Sequence, residues 1–421
     1  MENLFKKITE TRILQLVQGF RFLANFILSI ILARIATQNQ LQQYESITLL
    51  ISTISFSVLS GISTAFLPEL VRNNSATNWN NSVLAALIVS CVLGIIGLGY
   101  SFVKELSWVE SGLITVILVF QPVSNLLEYQ LFFKRLFKQV LFWSVISAVS
   151  VVLLGGVLFE YWGVTGCLSW IAILALLRFG VVCSLLTFPV EISWAHLRYW
   201  FLCWLPLIGV TLVAGIADYM DAWLVRYIKI EEFVGYRYGA RELPISTLLA
   251  NGISLSYSAK LAVNRSKLVL NELKEEIQQF IWLMFGITVF LMLFTKLLFT
   301  WVYGDRFIKA SEIFFWYLFL CIPRGLFPQI LLISYGAYQV QFWVTLIETV
   351  IHIALSWVFI SYFGPVGAAF SAIISYSLEK VMLWGICRHR NWPINSIIPI
   401  KTWLITSILT IFWGIIILIF C

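Results

Sequence analysis

Apolar runs broken by short polar connections recur from one end of the chain to the other. They fall near 14–37, 44–68, 80–103, 108–132, 139–160, 164–187, 200–226, 233–257, 277–302, 310–334, 340–362, 365–387 and 399–420. Each is about 20 residues or longer, the length an α-helix needs to cross a hydrocarbon core about 30 Å thick. The pattern predicts an all-α integral membrane protein of about 13 transmembrane helices. An odd number of crossings would place the C-terminus on the side opposite the N-terminus.

Composition removes the soluble alternative. Of 421 residues, 60% are hydrophobic and only 12% charged, with a mean hydropathy of +0.90. A soluble domain of this size could not cover so much apolar surface with so few charges. The short connections then set the orientation. With the N-terminus inside, cytoplasmic segments carry Lys6, Lys7, Arg12, Arg72, Lys134, Arg135, Lys138, Arg198, Lys260, Arg265, Lys267, Lys274, Arg388, Arg390 and Lys401, whereas external ones carry only Lys104, Lys229, Arg306 and Lys309. Lys and Arg concentrate on the cytoplasmic side, so the N-terminus is expected there. The first span follows a basic start but exceeds the core of a signal peptide, and is read as uncleaved. The longest polar stretch, AKLAVNRSKLVLNELKEE (259–276), reads as a basic amphipathic helix on the inner membrane face.

The chain also resembles itself. VRYIKIEEFVGY (225–236) aligns with ARIATQNQLQQY (33–44) at an offset of 192, and NGISLSYSAKLAVN (251–264) with SGISTAFLPELVRN (60–73) at 191. YFGPVGAAFS (362–371) aligns with YWGVTGCLSW (161–170) at 201, and Phe342-Trp343 with Phe142-Trp143 at 200. Collinear matches with slowly drifting offset are what a duplicated unit leaves behind. Six helices per unit make both copies enter from the same side, so the expectation is two parallel six-helix lobes related about the membrane normal. The lobes would be 1–190 and 191–390, with 391–421 an extra helix.

Charges inside the apolar spans are where chemistry is expected, because each costs about 2.5–3.5 kcal/mol near the bilayer centre. In an antiparallel hairpin of the seventh and eighth spans, Asp221 falls level with Arg237 and Asp218 with Arg241. Either these acids only neutralise the arginines, or the arginines line a wet cavity and meet an anion. Arg21, Arg178 and Arg324 favour the second, since none has an acid three or four residues away on its own helix. The guanidinium fork suits phosphate oxygens, and Arg324 lies in CIPRGLFP, where two prolines should bend the helix. Asp218 and Asp221 are candidates for a proton- or sodium-coupling carboxylate, with a structural salt bridge an equal alternative. Glu379 adjoins Lys380, but neighbours in sequence point to different helix faces. His352 reads as hydrogen-bonded packing. The seven Cys form no CxxC pair, and there is no GxxxxGK[ST] for ATP and no nucleophile–base pairing. The reading is of a protein with no catalytic, metal or cofactor site.

Together, LARIA at the end of the first span, DYMDAWLVRYIKIEEFVGYRYGAREL and the closing YFGPVGAAFSAIIS resemble the polysaccharide (Wzx-type) flippases of the multidrug/oligosaccharidyl-lipid/polysaccharide exporter superfamily. That family opens its second lobe with an Asp and then G-x-Y-x-x-A-x-x-L. Asp218 or Asp221, Gly235, Tyr236, Ala240 and Leu243 match, although Ala240 comes four residues after Tyr236 instead of three. The resemblance spans residues 10–390. It implies a transporter in the bacterial inner membrane that moves undecaprenyl-pyrophosphate-linked oligosaccharide from inner to outer leaflet by alternating access, with a glycan polymerase as a partner and no nucleic acid. Arg21, Arg237, Arg241 and Arg324 are the positions that would hold pyrophosphate and sugar.

A cation-coupled multidrug exporter of the same superfamily would want an acidic or neutral cavity. A peptidoglycan-precursor flippase would differ mainly in its sugar. A membrane glycan polymerase or glycosyltransferase would want carboxylates in a sizeable outer loop, and ATQNQLQQ has none.

Overall fold

A computed structural model describes residues 10–72, 76–104, 106–186, 192–240, 250, 253–254, 257–258, 260–261 and 264–420. The regular elements among these residues are all helices, and seven of the described helices are long and apolar enough to cross a bilayer. Shaft residues such as Ile95, Leu297, Val381 and Ile419 are largely exposed, and so are Trp108, Tyr161, Trp162, Trp301 and Tyr362 near helix ends. Apolar shafts with aromatic ends are what a multi-pass membrane protein presents to lipid and to its interfaces. The chain divides into two compact units, Met1–Tyr219 and Met220–Cys421, called here the first and second lobe.

In the first lobe the helices are α1 (Glu10–Ile35), α2 (Gln38–Arg72), α3 (Ala76–Val103), α4 (Trp108–Ser124), α5 (Leu126–Phe133) and α6 (Phe137–Ser184), with α7 (Trp194–Ile228) running into the second. α4 starts on a capping box, in which Glu110 N–H donates to Ser107 Oγ at 3.3 Å and Ser107 N–H to the Glu110 carboxylate at 3.2 Å. It stops soon after Pro122, whose ring cannot continue the hydrogen-bond ladder. The 48 residues of α6 would run to about 72 Å, far more than one crossing. Gly163, at φ 62° and ψ −144°, breaks it into two arms. Small residues let the helices close up: a Cβ at Gly97 would lie 2.4 Å from Leu118 Cδ1, and one at Gly94 2.6 Å from Val119 Cγ2, so α3 sits tightly on α4.

The second lobe continues with α8 (Phe233–Gly239), α9 (Lys267–Tyr303), α10 (Ile308–Tyr317), α11 (Cys321–Arg324), α12 (Gln329–Ser334), α13 (Tyr338–Phe363), α14 (Val366–His389), α15 (Ile394–Ile397) and α16 (Ile400–Phe420). The basic stretch expected to lie flat on the membrane behaves differently from Lys267 onward. It is the first turns of α9, running without a break into the apolar shaft, because Ser266 caps the helix there and no breaker follows. The span expected at 310–334 is split into α10, a 3₁₀ turn, α11 and α12 by Pro323 and Pro328. α16 packs along α9 and α11 through Ile281, Gly325 and Trp403.

The internal repeat extends to backbone detail. Gly364 has φ 63° and ψ −151°, nearly the conformation of Gly163, 201 positions earlier. At the same offset, Gly166 and Gly367 could not accept a Cβ, which would lie 2.1 Å from Leu158 O and 2.2 Å from Phe359 O. Arg135 and Gly336 both adopt positive φ, 57° and 70°. Each ends its helix the same way, with Leu136 N–H on Leu131 O at 2.9 Å and Ala337 N–H on Leu332 O at 2.8 Å. Pro122 and Pro323 break the preceding helix at matching places. Gln40 flanks Gly163 as Glu232 flanks Gly364, at the offset of 192 that the sequence shows for that segment.

Candidate functional site

Charged and polar side chains gather in two clusters, one in each lobe. In the first lobe, the helix breaks after Pro122, and the buried start of α5 places Glu128 between α1 and the second arm of α6. Glu128 is buried, and each of its oxygens takes a different arginine. Arg178 Nη2 donates to Oε1 at 2.8 Å and to the Ser124 carbonyl at 3.4 Å. Arg21 Nη2 donates to Oε2 and, at 2.8 Å, to Asn125 Oδ1. Arg178 is buried but Arg21 keeps 38% of its side chain exposed. Two guanidiniums on one carboxylate leave a net positive charge, and that charge is accessible at Arg21.

In the second lobe, α7, α13 and α14 converge on His352. Its Nε2 lies 3.0 Å from both oxygens of Asp221, and its Nδ1 lies 3.0 Å from Ser375 Oγ and 3.7 Å from Glu348 Oε1. Ser356 Oγ donates to Asp221 at 2.5 Å and pairs with Ser371 Oγ at 2.7 Å. Every member but the histidine is buried. Two carboxylates thus face one imidazole, Asp221 within hydrogen-bond distance and Glu348 just beyond it. One helical turn or two along α14, Lys380 Nζ sits 2.9 Å from Glu379, 3.4 Å from Gln329 Oε1 and 4.5 Å over the Tyr376 ring. Arg324 lies at 6.0 Å over the same ring, the outer limit for a cation–π contact.

No protein-family model matches the sequence, and no curated protein does. Solved structures do match over nearly the whole chain. A lipid II flippase, MurJ, in an inward closed conformation is 15% identical with a TM-score of 0.73, covering 96% of both chains. An inward-facing multidrug resistance MATE family transporter is 15% identical at a TM-score of 0.63, over 87% of this chain and 94% of the other. A transporter from Pyrococcus furiosus, described as having a binding pocket of reversed polarity, is 14% identical at 0.58, over 89% and 92%. All three are transporters of one fold, two-lobed and all-helical. The chain has the fold of the MOP-superfamily transporters.

Within this MOP fold the residues singled out in the sequence disperse. Arg21 and Arg178, which have no acid three or four residues away on their own helices, are both paired with Glu128, across 107 and 50 residues of chain; helical spacing is blind to such a partner. Asp221 is level with Arg237 in sequence, yet its hydrogen bonds go to His352 and Ser356. Arg237 is half-buried on α8. Lys380 reaches back to Glu379 despite the adjacency, because its long flexible stem can bend toward the neighbouring carboxylate. His352 is hydrogen-bonded as expected, but within a titratable cluster. Arg241 and the side chain of Asp218 lie outside the described residues. Glu128 is the residue sequence reasoning missed. A glutamate inside an apolar span, six residues after a proline, was the available signal.

Proposed function

We propose that the protein is a flippase for polyprenyl-pyrophosphate-linked oligosaccharide, carrying it from the cytoplasmic to the outer leaflet of the inner membrane by alternating access. The observation that carries this reading is the accessible excess positive charge of Arg21, Arg178 and Glu128. A flippase for a pyrophosphate-linked lipid must desolvate its anionic headgroup, and a guanidinium with open donors is the side chain best suited to receive it. Arg237, Arg241 and Arg324 are proposed as further contacts to the pyrophosphate and sugars. The likeness to a lipid II flippase over 96% of both chains is in keeping with such a substrate, and a cationic site argues against an exporter of cationic drugs. The N-terminus is taken as cytoplasmic from the loop charges, and a glycan polymerase would receive the product.

The Asp221–His352–Glu348 cluster is proposed as the coupling site, with Asp218 a second carboxylate on α7. A cluster that bridges three helices and changes its charge on taking up a cation or proton gives those helices two arrangements. Two measurements test the function. Native mass spectrometry of protein purified from its membrane should show a co-purifying polyprenyl-pyrophosphate sugar, and its absence alongside bound cationic amphiphiles would favour the multidrug reading. In proteoliposomes, Asp221→Asn should abolish acceleration of flipping by a proton or sodium gradient while leaving the protein folded. Unchanged acceleration would reduce Asp221 to a structural role.

A further inference from the structure

Arg21 and Arg178 hold Glu128 unequally. Arg178 is buried and its Nη2 is committed to Glu128 and the Ser124 carbonyl, yet its Nε, which lies on the same edge of the guanidinium, is buried without a hydrogen-bond partner. The edge that would grip a carboxylate with two parallel bonds is therefore half used. Arg21 is also half used. A single nitrogen, Nη2, serves both Asn125 and Glu128, and Nε and Nη1 make no hydrogen bond among the described residues. A buried unpaired donor costs free energy, so this arrangement is poised for a better one.

The better arrangement needs an anion. If Arg21 leaves Glu128, the carboxylate oxygen it vacates becomes available to Arg178 Nε, and the side-on, two-bond pair can close. The buried carboxylate then stays neutralised by the buried guanidinium, its orphaned donor is satisfied, and Arg21 is released with its own fork open. We infer that Glu128 is a built-in competitor for the headgroup phosphate: it holds Arg21 while the site is empty, and surrenders it to an arriving phosphate without itself becoming unpaired. The device weakens binding and speeds release, which a transporter needs as much as recognition, since a lone buried arginine would hold a pyrophosphate too long to turn over. This rests on the proposed phosphate-linked substrate, and names how that site lets go.

The test compares wild type, Arg21→Gln and the double variant Glu128→Gln/Arg178→Gln, which removes the competitor and its buried counter-ion together so that the net charge is kept. Binding of inorganic pyrophosphate to purified protein is measured by calorimetry at equal folded fraction, and flipping of a polyprenyl-pyrophosphate sugar is followed in proteoliposomes. The double variant should bind pyrophosphate about tenfold tighter, with both KM and kcat for flipping reduced, and Arg21→Gln should lose binding. A residue with only a structural role cannot tighten binding when removed. Equal or weaker binding by the folded double variant, with Arg21→Gln still deficient, overturns the competitor role and leaves the phosphate site standing. Pyrophosphate binding unaffected by Arg21→Gln overturns the phosphate site itself.

Discussion

The two lobes share a backbone and differ in sign. Where α5 of the first lobe carries Glu128, the second lobe has Gln329, 201 positions on, after a proline break at the same place. Where α6 carries Arg178, α14 carries Glu379 with Lys380 beside it. The first lobe's cluster is two arginines on one acid, and the second's principal cluster is two acids on one histidine. What stayed alike is what the backbone requires: Gly163 and Gly364 at positive φ, Gly166 and Gly367 against a carbonyl, and the prolines that break a helix. What diverged is the side chains those breaks present. One scaffold, used twice, presents a cluster with excess arginine in one copy and a cluster with excess carboxylate in the other.

The comparison breaks most sharply at Glu128. Glu128→Ala leaves two guanidiniums against one another, with Arg178 buried, and should cost about 3–5 kcal/mol of stability. Gln329→Ala removes only a 3.4 Å contact to Lys380 and should cost about 1 kcal/mol or less. Chemical denaturation in detergent measures both, and equal losses would mean that the two sites differ less than their charges imply. The glycines sharpen the likeness. Gly166→Ala and Gly367→Ala each drive a methyl group into a carbonyl and should each cost about 1–3 kcal/mol. Similar losses at the two positions are expected because their clashes are nearly identical, and a loss at one alone would show that the breaks have diverged in rigidity.

The smallest effect lies where the second lobe has something the first lacks, the packed helix α16. Beside Pro323 the backbone tightens, so that Leu326 N–H turns to the Pro323 carbonyl at 3.1 Å, and the Ile322 carbonyl loses that donor. Trp403 Nε1–H from α16 takes the place at 2.8 Å. Trp403→Phe should cost about 1 kcal/mol and loosen the turn that carries Arg324, read as a matching loss in stability and a modest weakening of pyrophosphate binding. No change in either would leave α16 as lipid-facing packing.

Membrane residence, helix positions and the duplication follow from the sequence, because hydrophobic length and glycine or proline placement act locally. Spacing of 3.6 residues per turn and the cost of burying a charge in lipid are enough to read them. Arg21 and Arg178 were legible as charges in need of shelter for the same reason. Their partner was not, nor was the grip of His352 on Asp221, because these contacts join residues 50–131 positions apart in sequence. An ion pair is decided by which helix faces meet once α1, α5 and α6, or α7, α13 and α14, are packed. The sequence by itself determined which charges had to be sheltered from lipid. Only the tertiary structure decided that Glu128 shelters two of them at once, because a carboxylate's two oxygens can be shared only where packing brings two helices to the same end of a third.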